Sequence, residues 1–138
     1  MKRLHGKHNK DVCDVLHLKS ALECNDWVIT TAFYSAIHYF DHLLFPYLHK
    51  DGTTFNDINE AHRIINQVNK HETRGILIQT KIPAKGGDYT FLKEECYNAR
   101  YGNWMVNDII AKKAVSKLEA IIEMSNELFT KEEKNKKK

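Results

Sequence analysis

Two prolines and six glycines are all that 138 residues offer for turns. So few breakers exclude an architecture of many short strands and favour a few long helices. The three cysteines, Cys13, Cys24 and Cys96, are odd in number, widely spaced and without a paired motif. That pattern suggests neither a disulfide framework nor a structural zinc site, and reads as buried thiols in a reducing compartment. A phosphate-cradling loop is also missing, because Gly86 and Gly87 are followed by Asp88 and not by the lysine of nucleotide loops. No serine sits in the glycine-flanked turn of an acyl-transfer nucleophile. The opening MKRLHGKHNK is basic but leads into no apolar run, so no secretory leader is expected. The most apolar stretch, Trp27 to Phe45, contains His38, Asp41 and His42, groups too costly in lipid for a membrane span. A cytoplasmic protein without membrane attachment is expected.

What is present suits one domain: the length is enough to bury a core without staples, and the 42% apolar fraction is that of a globular chain. The net charge of +3 belongs to the ends, since residues 1–10 carry +4 and residues 131–138 carry +3, leaving the body at −4. A basic face for nucleic acid therefore cannot be inferred from composition. The ends read as solvated tails in preference to electrostatic arms. The expected organisation is a helical bundle over 1–130 and a basic, unstructured tail over 131–138.

Periodicity predicts the helices. A first runs from about Asn9 to Glu23, burying Val12, Cys13, Val15, Leu16 and Leu22, with Asp11, Asp14 and Lys19 outside. Asn25 and Asp26 can cap a second, apolar nearly all round and thus central, which Pro46 ends near Phe45. Residues 49–53 read as a turn, and Asn56 or Asp57 can cap a third helix carrying Ile58, Ala61, Ile64, Ile65 and Val68. The stretch from His71 to Pro83 fits helix or extended chain equally, and Pro83 to Asp88 reads as the clearest loop. From about Tyr89 the chain is helical to Gly102. A final helix carries a stripe of Val106, Ile110, Ala114, Leu118, Ile122, Ser125 and Phe129, flanked by Ile109, Ile121 and Leu128. The expected fold is all-α, an antiparallel bundle of four to five helices.

His38 and His42 lie four apart, so on a helix both imidazoles share a face, but no third ligand is fixed nearby and no metal is expected. More telling are polar residues set in apolar or aromatic surroundings: Tyr34, His38, His71, Arg74, Arg100 and Tyr101. The run FYSAIHYFD over 33–41, HETR over 71–74, YTFL over 89–92 and ARY over 99–101 occur in that order. This arrangement, spanning Asp26 to Tyr101, resembles the small bacterial members of the HEPN superfamily, in which FYxAxHyxD is followed by HxxR, then YxxL and a terminal ARY.

The resemblance implies an antiparallel helical bundle, commonly dimeric. It also implies a role as an RNase, or as an RNA- or nucleotide-binding partner, in a toxin or antiphage system. In the RNase members an Arg is followed, after four to six intervening residues, by His on a late helix, and two copies meet across the dimer. The His moves a proton and the Arg stabilises the charged phosphorane, without metal or cofactor. This chain departs there: no His follows Arg100, none lies beyond His71, and Arg63 precedes His71 by one residue too many. A composite site is the remaining expectation, with His71, Arg74 and His38 converging near Arg100, and with Tyr34, Tyr101 and Asp41 as ligand-binding neighbours. Against it stands a purely structural account, in which a buried Arg100 pairs with Asp41 or Glu60, His38 satisfies a core acceptor and Tyr101 fills the core. A non-catalytic dimeric module that docks a partner protein from the same locus is the alternative function.

Overall fold

The computed structural model describes residues 2–18, 24–102 and 106–138. It is all-helical apart from one small hairpin: α1 (Lys2–Leu18), α2 (Asn25–Leu44), β1 (Tyr47–Leu48), β2 (Thr54–Phe55), α3 (Ile58–Ile65), α4 (Lys70–Lys81), α5 (Gly86–Tyr101) and α6 (Asp108–Lys136). Six helices thus replace the four to five expected. The additional one is α4, formed by the segment that periodicity left open.

α2 is the axis. Thirteen of its side chains are buried, among them Val28, Ile29, Ala32, Phe33, Ala36, Phe40 and Leu44, and α1, α5, α6 and more lightly α4 pack around it. A helix apolar on most of its circumference loses its water-exposed surface only in such a central place. Its start differs from the expected cap. The Asp26 carboxylate accepts from the Trp27 amide at 2.9 Å, whereas Asn25 turns its amide across to α6, donating to the Val106 carbonyl (3.2 Å) and to Asp108 (2.8 Å). Asn25 is therefore a tie between helices instead of a cap.

α1 begins at Lys2, seven residues earlier than the apolar pattern indicates, so the basic N-terminus is helical and not a solvated tail. Val12 and Val15, expected inside, are exposed. The face that docks carries Gly6 and Cys13, with Leu16 partly covered; Lys19 and Leu22 lie outside the described residues. The reason is close approach. A Cβ on Gly6 would lie 2.7 Å from the Tyr39 ring, and Ser35 Oγ donates to the Gly6 carbonyl at 2.7 Å. Small side chains, not the valines, let α1 sit against α2.

Both short helices in the middle start on a carboxylate or amide cap. Asp57 accepts from the Glu60 amide at 2.9 Å and Asn69 from the Glu72 amide at 3.0 Å, each satisfying a donor that the first turn leaves free. α3 stops at Asn66 in the left-handed region (φ 53°), which leaves Val68 beyond the helix; Val68 and Ile64 are both exposed, contrary to expectation. The loop expected over Pro83 to Asp88 is instead a 3-10 turn at Pro83–Lys85 that feeds directly into α5. Its Gly86 is in helical geometry, pressed against Gln79 where a Cβ would lie 2.2 Å from Oε1.

α6 buries Ala111, Ala114, Val115, Leu118, Ile121 and Ser125. The expected stripe coincides with this face at Ala114, Leu118 and Ser125, and its flank at Ile121, but departs from it elsewhere: Val106, Ile110, Ile122 and Phe129 are only half-buried, and Ile109 and Leu128 are exposed. Steps of four drift by about 40° each on a helix of 3.6 residues per turn, whereas alternating steps of three and four hold one face. The helix also continues through the segment expected to be an unstructured tail, ending at Lys136 with residues 130–138 exposed. Lysines at a helix C-terminus complement its partial negative charge.

Candidate functional site

α2, α4 and α5 enclose an open cleft of about 700 Å³. Its floor is Phe33 of α2, whose ring lies 5.3 Å from that of His71 and 5.9 Å from that of Tyr89. Its walls carry Tyr34 from α2, Asn69, His71 and Glu72 from the start of α4, and Lys93, Tyr97, Arg100 and Tyr101 from α5. A second, shallower groove of about 380 Å³ adjoins it, sharing Tyr34 and Arg100 and adding Trp27.

The cleft divides the expected composite site. His71 and Arg100 line it together with Tyr34 and Tyr101. Arg74 and Asp41 do not line it: both are buried, and Arg74 donates to Asp41 through Nε (2.6 Å) and a terminal nitrogen (3.2 Å) in a two-pronged ion pair. Burial works against the Arg74 charge, but the Asp41 carboxylate more than offsets this and raises its already high pKa. Asp41 is thus a structural anion holding α4 to α2. His38 faces elsewhere, its ring edge-on to His5 of α1 at 5.5 Å. His42 approaches Phe129 of α6 at 6.5 Å. Among the described residues no three His, Cys, Asp or Glu side chains are grouped as metal ligands.

The competing structural account is corrected in its details too. Arg100 is exposed and makes no ion pair among the described residues; it donates to the Tyr34 hydroxyl at 2.8 Å and lies 5.5 Å from the Tyr101 ring. Tyr101 is 65% exposed and fills no core. Glu60 accepts from the Asn56 amide at 2.7 Å, far from any arginine partner role. The buried arginine is Arg74.

His71 is half-buried in the lining of the cleft. Burial, then the charges of Arg74 and Lys93, hold its pKa below the usual imidazole value, so it is neutral at pH 7. Arg74 reaches toward its Nδ1 at 3.5 Å, and the Tyr89 hydroxyl donates to its backbone carbonyl at 2.7 Å. Burial pushes the Tyr89 hydroxyl up to about 12, so it remains a donor across the physiological range. Lys93 is engaged with Glu72 at 2.7 Å. That leaves Arg100 as the cation presented to a ligand.

Three residues here escaped sequence reasoning: Trp27, Lys93 and Tyr97. Helical spacing carried the signal. Lys93, Tyr97, Arg100 and Tyr101 follow steps of four, three and one along α5, and Trp27 and Tyr34 are seven apart on α2, so each set shares a face. Trp27, Tyr97 and Tyr101 are each at least 60% exposed, an unusual outlay of large aromatic surface around one cation.

No protein-family model, no curated protein and no solved structure matches this chain.

Proposed function

We propose that the cleft between α2, α4 and α5 binds a ligand made of phosphate and base, in the first instance single-stranded RNA, as the resemblance to the HEPN superfamily implies. One observation carries the reading: Arg100, not paired with any carboxylate among the described residues, lines an open cleft with His71, Tyr34, Tyr97 and Tyr101 and an adjoining groove with Trp27. Exposed aromatic faces stack bases without regard to sequence, contributing about 1–3 kcal/mol per base, while an arginine engages phosphate oxygens through its fork. Neutral His71 adds a hydrogen-bonding group to the cleft lining.

Strand cleavage would need a second proton-transfer group beside His71. In the HEPN RNases that economy is met across a dimer. Here the imidazoles of His38 and His42 face α1 and α6, so His71 is the one imidazole among the described residues lining the cleft, which otherwise offers tyrosine hydroxyls, the Glu72 and Glu94 carboxylates, Lys93 and Cys96. Because no His follows Arg100, the pairing those RNases use is missing, and this favours binding without turnover. The exposed aromatics also favour a second reading, docking of a protein surface, whether another copy or a partner from the same locus.

Titration of a fluorescent single-stranded oligoribonucleotide, followed by anisotropy, tests the first reading, with a mononucleotide in a second arm to separate a strand site from a nucleotide site. Arg100→Ala is expected to weaken binding about tenfold and to lower the salt dependence by about one phosphate contact. Equal affinity of the wild type and Arg100→Ala for both probes contradicts the reading. Light scattering at high concentration then tests the docking alternative.

A further inference from the structure

Asp41 and Arg74 are buried away from the cleft, yet their pair ends against a residue that lines it. Arg74 is held at two points by Asp41, and its remaining terminal nitrogen is the one directed at His71 Nδ1, at 3.5 Å. A guanidinium has donors only and keeps its proton at any pH a folded protein meets. An N–H on Nδ1 would point hydrogen at hydrogen, so only a lone pair on Nδ1 fits this neighbour. In neutral histidine the proton then resides on Nε2, because the bond made by one ring nitrogen decides the state of the other. Nε2 makes no hydrogen bond among the described residues, and the imidazole lines the cleft.

We infer that Arg74, anchored by Asp41, is a positioning residue that fixes His71 as a single tautomer with its proton on Nε2, so that the cleft meets a neutral N–H donor. The consequence bears on the chemistry of the ligand, and in this it rests on the RNA reading. The ligand atom at His71 must be an acceptor, a phosphate or carbonyl oxygen; in the resting protein His71 cannot be the base that takes a proton from a ribose hydroxyl. The charged and titratable groups around the ring leave it neutral on balance. Arg74 from its own helix and Lys93 from α5 oppose imidazolium formation, Glu72 and buried Asp41 favour it less strongly, and the Tyr89 hydroxyl is spent on the His71 backbone.

The test uses the full ligand-free chain, so its outcome is independent of whether RNA binds. Long-range ¹H–¹⁵N correlation spectra of the uniformly labelled protein, recorded from pH 5 to pH 8, report both ring nitrogens of His71. The expected result is one tautomer at pH 8, with Nδ1 unprotonated, and a midpoint below 6.5. Removing the donor and both charges together, in Asp41→Leu/Arg74→Met, is expected to raise the midpoint and bring in the Nδ1–H form. Arg74→Lys, which keeps the charge but loses the fork, is expected to bring in the Nδ1–H form while leaving the midpoint low, and it serves alone if the double variant does not fold. A proton on Nδ1 in the wild type, or a tautomer population unchanged in whichever variant folds, overturns the assignment. Normal RNA binding with the wrong tautomer would count against Arg74 alone, and the right tautomer without RNA binding against the cleft's proposed ligand alone.

Discussion

Asp41 and Arg74, 33 residues apart in the chain, meet as a buried two-pronged ion pair that fastens α4 to the central helix. Each charge is tolerable only because the other is there. Removing one partner, by Asp41→Leu or Arg74→Met, is expected to cost about 3–5 kcal/mol in urea denaturation, the penalty of a stranded buried charge. The double variant Asp41→Leu/Arg74→Met is expected to cost less than either single change, since apolar side chains of similar bulk need no solvation. Strict additivity of the two losses would show that the pair is not coupled as its geometry requires.

Gly6 marks where α1 lies closest to α2. Alanine is the better helix former by about 1 kcal/mol, so propensity alone says that Gly6→Ala stabilises. Its Cβ, however, would meet the ring of buried Tyr39 at 2.7 Å, and overpacking of that kind costs about 1–3 kcal/mol. A net loss in the thermal midpoint is expected, relieved when Tyr39→Leu is added. A rise in the midpoint of Gly6→Ala would mean that α1 does not dock so closely.

Acid is expected to loosen the fold from about pH 6.5 downward. His38, His42 and His71 all have pKa values lowered from 6.5, chiefly by burial and then by His5, Arg3 and Arg74 respectively. The folded state thus binds fewer protons than the unfolded chain just below pH 6.5. By linkage, stability is full above that pH and falls as the solution is acidified from 6.5 toward the folded-state values. Thermal unfolding at pH 7.5 and pH 5.5 is expected to show a lower midpoint at pH 5.5, and a flat profile over this range contradicts the burial of the three rings.

How far this could be read from the sequence differs from element to element. α2 was plain because its burial is nearly complete, so no choice of face was needed. α6 was plain as a helix but not in its orientation, since the apolar residues at 106, 110, 122 and 129 compete with the alternating series that the core takes. α4 was hidden by its polar start and Gly75, although Asn69 with Glu72 three residues on is a capping signature of the kind also found at Asp57 and Glu60. Of the residues expected at the site, His71, Arg100, Tyr34 and Tyr101 line one cleft, while His38, Arg74 and Asp41 do not. Sequence reasoning could not tell which arginine is buried, because burial depends on the pairing across helices and both arginines sit in equally mixed surroundings. Arg74 found Asp41; Arg100 was left to solvent.

The most direct measurement is a map of where RNA acts on the folded chain. Titrating unlabelled single-stranded RNA into the ¹⁵N-labelled protein is expected to move amide signals of Tyr34, of residues 69–72 and of residues 93–101, the walls of the cleft. Shifts confined to the lysine-rich end of α6 or to the basic start of α1, with the cleft silent, would contradict the account and leave only nonspecific attraction to the charged ends of the chain.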